Sequence, residues 1–217
     1  FTFSTVLDHE GLQLSNNQFT GPIPDAPPQT TTALIYRNRW SGDLPISWHS
    51  APYLVELDLT DCEMSGPIIN VSSYITTVVL ANNHFTGTVP ASWKDASLSH
   101  VDLSNNNLVG MPFTWAWPGA DVQGNFDSST LAEAWVHGPD WPLAYLSLAD
   151  NPLDISAGFL MGALSVYEIE ELDLSNCSLN GRVMAADLVP SEPLAAGGTA
   201  TAGGIAFTKL RTLDLSN

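Results

Sequence analysis

With 217 residues, 44% of them hydrophobic, the chain can bury a continuous core and is not a disordered polymer. Six Lys+Arg against 23 Asp+Glu leave a formal charge of -17, which repels phosphate backbones and anionic lipid surfaces and argues against nucleic acid as a partner. No run of about 18 apolar residues occurs, so no segment has the composition of a membrane-spanning helix.

The opening residues Phe1-Thr2-Phe3-Ser4-Thr5 lack the basic start and small-residue cleavage site of a signal peptide, which points to a leader already removed or to a longer chain. Periodicity then begins. Leu12-Gln13-Leu14-Ser15-Asn16-Asn17-Gln18-Phe19-Thr20-Gly21-Pro22-Ile23-Pro24 returns with changes at Ala33, where Asn38, Trp40, Gly42, Leu44 and Pro45 hold the same places. It returns again at Val78, with Asn83, Phe85, Gly87, Val89 and Pro90. Shorter copies start at Leu57, Val101, Leu146, Leu172 and Leu213, and a degenerate one, Ala120-Asp121-Val122-Gln123-Gly124-Asn125, fills the gap after Val101. That makes nine copies at spacings of 21, 24, 21, 23, 19, 26, 26 and 41 residues, mostly inside the range of about 20 to 29 that marks a solenoid repeat.

In each Leu-x-Leu the apolar residues point one way, so each copy supplies one short strand with one buried face. One copy cannot stay folded alone, and stacking pairs the strands into a parallel sheet over a shared core. The Asn three residues after the second strand apolar (Asn17, Asn38, Asn83, Asn106, Asn125, Asn151) falls where the chain turns inward. Its amide, both donor and acceptor, suits it to satisfy backbone groups that no strand reaches. Cys62 and Cys177 replace that Asn, five copies apart in this register. At ~4.8 Å per strand they stand roughly 24 Å apart, beyond the ~7 Å Cα limit of a disulfide, so two buried, unbridged thiols are expected.

Two stretches depart from the pattern. Residues 111–142 carry Trp115, Trp117, Trp135 and Trp141, four of the seven tryptophans; these rings either fill the gap beside irregular copies or form a partner-facing aromatic patch. Residues 185–205, rich in Gly and Ala, read as a flexible insertion, and without a Gly-Lys-[Ser/Thr] they are not a nucleotide loop. The chain then stops inside a copy at Leu213-Asp214-Leu215-Ser216-Asn217 with no polar cap, so more protein or a partner is expected beyond it.

The string L-x-L-x-x-N-x-[LF]-x-G-x-[IVL]-P at Leu12, Ala33 and Val78, with the Asp-Leu-Ser-Asn variants at Val101, Leu172 and Leu213, resembles the plant-specific class of leucine-rich repeats. Similar repeats occur in plant receptor ectodomains, green-algal proteins and surface antigens of some flagellate parasites. The resemblance implies a leucine-rich-repeat solenoid of the α/β horseshoe class over residues 1–217, about nine repeats long. Its concave face is then a parallel β-sheet and its convex face loops and short 3-10 turns. It also implies an extracellular or cell-surface location and no cofactor.

Residues between and before the strand apolars face outward on the concave sheet, the surface that repeat proteins commonly use for binding. Asp58, Asp102, Asp121, Asp173 and Asp214 occupy five of the nine slots between strand apolars, the others being Gln13, Leu34, Val79 and Ser147; Glu56, Glu170 and Glu171 precede the strands, and Tyr36 and Tyr145 add aromatic spots. Like charges about 5 Å apart favour a counter-ion or a basic partner there, although Leu-Asp-Leu is common in such repeats and an acidic face also keeps a solenoid soluble. The five histidines form no metal-ligand spacing. Ser99, His100 and Asp102 resemble a hydrolytic grouping only by chance adjacency, since flat strand positions offer no pocket. Asn70-Val71-Ser72 and Asn176-Cys177-Ser178 are sequons for N-glycosylation. The sequence therefore points to non-catalytic recognition of a protein or glycan. The alternatives are a structural role in a surface coat, cell wall or filament, with self-association or packing against other chains, and the sensing ectodomain of a receptor.

Overall fold

The computed structural model describes residues 11–90, 93, 96–109, 143–154, 157, 169–181 and 209–216. Eight of the predicted Leu-x-Leu positions form one parallel sheet: β1 (Gly11–Gln13), β3 (Thr32–Leu34), β5 (Glu56–Asp58), β7 (Thr77–Val79), β9 (His100–Asp102), β11 (Tyr145–Ser147), β12 (Glu171–Asp173) and β13 (Thr212–Asp214). Register follows the repeat, because sliding a strand by one residue would turn its apolar row to solvent. Leu12 faces Ala33, then Leu57, Val78, Val101, Leu146, Leu172 and Leu213 in turn. Ala33, Val78, Val101 and Leu146 are fully buried along this row, as are Ile35, Leu59, Leu103 and Leu148 along the next.

One expectation is corrected by this register. β9 pairs directly with β11, Val101 against Leu146, so no strand from Ala120–Asn125 stands between them. The sheet of the described residues has eight strands, not nine, and the step from Val101 to Leu146 is 45 residues long. Cys62 and Cys177 are then four strand steps apart, roughly 19 Å at ~4.8 Å per step. Both thiols are buried and free.

After each strand the backbone enters the left-handed region for one residue: Asn16, Arg37, Asp61, Asn82, Asn105, Asp150 and Asn176 all have φ between 49° and 57°. Asn and Asp tolerate that conformation better than other non-glycine residues, which explains their recurrence. The next residue turns inward. Asn106 Nδ2 donates to the carbonyls of Leu80 and Leu103 at 3.0 Å each, and its Oδ1 accepts the Phe85 N–H at 3.0 Å. Asn38 and Asn83 repeat this pattern. Asn151 does too, reaching straight back to Leu103 O at 2.9 Å across the 45-residue step. Asn17 keeps the local bonds but is exposed, and Asn125 lies outside the described residues.

A second parallel sheet, which the sequence reading put down as loops and turns, follows the Asn column. It comprises β2 (Thr20–Gly21), β4 (Arg39–Asp43), β6 (Glu63–Pro67), β8 (His84–Gly87) and β10 (Asn107–Leu108). Gly66 shows why glycine recurs in these strands: its φ is +75°, and the Asp43 carboxylate occupies the space a Cβ would need. On the convex side the short helix α1 (Ile46–His49) buries Trp48. Trp48 Nε1 donates to Pro24 O at 3.0 Å, as Trp93 Nε1 does to Ile69 O at 2.9 Å, so each ring ties its own repeat to the one before.

Candidate recognition surface on the concave sheet

In β3, β5, β7 and β9 the central residue is buried and its two neighbours face out, which lays two rows of residues across the sheet. One row runs Thr32, Glu56, Thr77, His100, Tyr145, Glu171 and Thr212; the other runs Leu34, Asp58, Val79, Asp102, Ser147, Asp173 and Asp214. Thr77 and Val79 on β7 divide the acidic residues. Glu56 and Asp58 lie on one side, and Asp102, Glu171, Asp173 and Asp214 on the other. Tyr36 lies two positions beyond Leu34 of the second row and is half-buried.

Part of the acidity has a local structural cause. Asp58 Oδ1 accepts the Thr60 N–H at 2.9 Å, Asp102 that of Ser104 at 3.0 Å, Asp173 that of Ser175 at 3.0 Å and Asp214 that of Ser216 at 2.8 Å. Each carboxylate thus closes the turn that leads to the left-handed residue. The Asp of Leu-Asp-Leu-Ser serves the fold through one oxygen while carrying its charge outward. At the exposed edge strand the Ser216 amide holds the Asp214 carboxyl below its ordinary range.

The feature that sequence reading missed is a ring stack. His100 and Tyr145, register partners on β9 and β11, have centroids 4.3 Å apart and planes within 11°. Ser147, expected to face outward, is instead buried at 2% exposure. Burial, then Asp102, Asp173 and Glu171, raise the Tyr145 phenol above its usual value. The signal existed in the sequence as His100 and Tyr145 at equivalent strand positions, but the supposed copy at Ala120 put a strand between them.

The Ser99, His100 and Asp102 grouping is dispersed: Ser99 Oγ donates to Thr76 O at 3.2 Å, His100 stacks on Tyr145 and Asp102 closes its turn. Among the described residues no three His, Cys, Asp or Glu side chains are placed to hold a metal ion. The thiols take over the Asn column's donor role. Cys177 Sγ lies 3.0 Å from Leu148 O and Cys62 Sγ 3.9 Å from Ile35 O, and burial pushes both up to about 11. Such thiols are protonated and poorly nucleophilic at neutral pH.

Of the sequons, Asn70 is exposed beyond β6 on the convex side. Asn176 has φ 49° and donates its Nδ2 to Asp150 Oδ1 at 2.8 Å. It belongs to a surface ladder that also joins Asn82 to Asp61 and Asn105 to Asn82. Asp121 and the four tryptophans Trp115, Trp117, Trp135 and Trp141 lie outside the described residues, as does the insertion at 185–205. Among the described residues no helix is long and apolar enough to cross a membrane.

The leucine-rich-repeat sequence profile matches residues 10–29, 97–117 and 168–186. No curated protein sequence matches the chain. Among solved structures, the Arabidopsis receptor kinase HAESA, in complex with the peptide hormone IDA and a co-receptor, is 25% identical with a TM-score of 0.54, covering 78% of this chain and 28% of that one. A plant ice-binding protein is 23% identical with a TM-score of 0.54, covering 79% of this chain and 54% of that one. A TDR receptor is 20% identical with a TM-score of 0.54, covering 81% and 32%. The latter two likenesses speak to fold alone, and this chain spans less than a third of the HAESA chain it matches. Repeat motif, sheet register, Asn column and profile agree: the chain carries leucine-rich repeats, and these are similar to repeats of the plant type.

Proposed function

We propose that this chain is a non-catalytic recognition domain that works outside the cell and binds a polypeptide along its concave sheet. The observation that carries the reading is the outward row of carboxylates, Asp58, Asp102, Asp173 and Asp214, on a sheet face that nothing in the described chain covers. Their spacing and the net charge of -17 favour a basic partner. The complex of HAESA with a peptide hormone supports a peptide over a glycan. Leucine-rich-repeat ectodomains are typically non-catalytic, and the geometry of Ser99, His100 and Asp102 is in keeping with that. The same reading accommodates a sensing ectodomain, since the chain corresponds to 28% of that receptor's length. Asn70, exposed beyond β6, is the candidate glycan acceptor.

The test is selection of random peptides on the immobilised chain. Selected peptides enriched in Lys and Arg, whose capture falls when Asp58 and Asp102 are both changed to Asn, support the reading. Binders indifferent to those substitutions, or a glycan that binds the same face when no peptide does, overturn it. For location, a mass lowered by deglycosylation of protein from its native source is expected, and an unmodified Asn70 there counts against the extracellular assignment.

A further inference from the structure

We propose that the face of the Tyr145 ring turned away from His100 seats an arginine side chain of the bound polypeptide, whose guanidinium pairs with Glu171 and Asp173 on the next strand. This deepens the reading of the concave sheet as a polypeptide-binding surface and rests on it.

The geometry comes from strand order. β9, β11 and β12 are consecutive in the sheet, with His100, Tyr145 and Glu171 in one row and Asp102, Ser147 and Asp173 in the other. Two nearly parallel rings 4.3 Å apart on neighbouring strands stand on edge across the strand direction, because their separation is close to the ~4.8 Å strand spacing. One face of Tyr145 is therefore taken by His100. The other is directed toward β12, where the equivalent positions hold Glu171 and Asp173.

That slot has one aromatic wall and one anionic wall. A planar, weakly hydrated cation that both stacks and donates in a fork matches it, and guanidinium is the side chain with those properties. An ammonium has the charge without the plane. The acceptors are available: Asp173 uses Oδ1 for the Ser175 N–H and hydroxyl, at 3.0 and 2.8 Å, while its Oδ2 and the exposed Glu171 carboxylate carry no hydrogen bond among the described residues. Arg211, on the approach to the neighbouring β13, does not reach them, since it pairs with Glu170 at 3.5 Å.

The probes are the blocked pentapeptide Gly-Gly-Arg-Gly-Gly and its Lys and citrulline counterparts, titrated into the full chain while side-chain resonances are followed by NMR. The expected result is saturable perturbation of Tyr145 and His100 by the Arg peptide, at least about threefold weaker binding of the Lys peptide and none of the citrulline peptide. Tyr145→Phe keeps the ring and retains binding, whereas Tyr145→Leu and Asp173→Asn each lower affinity about three- to tenfold. Equal affinities for Arg and Lys, displacement by millimolar Ca²⁺ as effective as by peptide, or perturbation centred on Glu56 and Asp58 overturn the proposal. The wild-type titration locates the site even if a variant fails to fold. Selected peptides that depend on Asp58 and Asp102 but ignore Tyr145→Leu overturn this seat and leave the concave-face reading standing; no concave-face peptide at all removes both.

Discussion

The first five strands of the concave sheet and the last three are built on the same rung but reached along very different lengths of chain. From β1 to β9 each step takes 21 to 24 residues, while β9 to β11 takes 45 and β12 to β13 takes 41. The rungs nonetheless have the same hydrogen bonds. Asn106 and Asn151 each donate to the preceding repeat at 3.0 and 2.9 Å and each accept an N–H at 3.0 Å. A long step can keep the same rung contacts because lengthening a connection costs little entropy, only about 0.6 kcal/mol per doubling, whereas shifting a rung would leave buried amides unpaired. The long step also brings His100 and Tyr145 side by side, so their ring stack lies where the regular half meets the interrupted one.

The comparison breaks most visibly at the buried amides. Asn106→Ala and Asn151→Ala each strand several buried carbonyls and one N–H, and each is expected to cost about 3 kcal/mol in urea unfolding. Equal losses confirm that the long step is as well knit as the short ones; a markedly smaller loss at Asn151 contradicts it.

Next in size is the response to alkali, which samples one thiol in each half. A raised folded value means the unfolded thiol ionises first, so stability is complete below pH 9 and falls as pH rises toward 11. About 2 kcal/mol per thiol is expected to be lost by pH 11. Cys62→Ala and Cys177→Ala should each flatten the stability–pH curve by that amount, and a curve unchanged in the double variant sinks the assignment. Both thiols should also resist maleimide at neutral pH until the chain is unfolded.

The tryptophans of the long step offer a smaller, sharper division. If Trp115→Ala with Trp117→Ala leaves the melting temperature within a few degrees but weakens peptide capture, the stretch belongs to the recognition surface; loss of folding assigns the rings to the core. The least effect is spectroscopic: Asp102→Asn should lower the ionisation midpoint of Tyr145 toward the ordinary phenol range, read by ultraviolet titration.

Much of this molecule is legible in its sequence because the repeat states it many times over. Every Leu-x-Leu start from Leu12 to Leu213 found its register partner except Ala120. That copy looked plausible because Asn125 follows it at the right distance, but spacing alone cannot tell a degenerate rung from an insertion of similar length. The second sheet escaped notice because its strands are two to five residues long and carry Gly and Pro, which read locally as turns.

What the sequence determined by itself is therefore the rung: alternation chose the buried face, Asn and Asp chose the left-handed turn, and the column position kept two thiols apart. These are local rules, repeated at short range, and no distant residue is needed to satisfy them. What only the tertiary structure decided is which rungs are neighbours. Stacking order placed Val101 against Leu146, laid Tyr145 on His100 and left Ser147 buried, because lateral pairing between strands depends on which backbone amides meet, and loop length leaves that open.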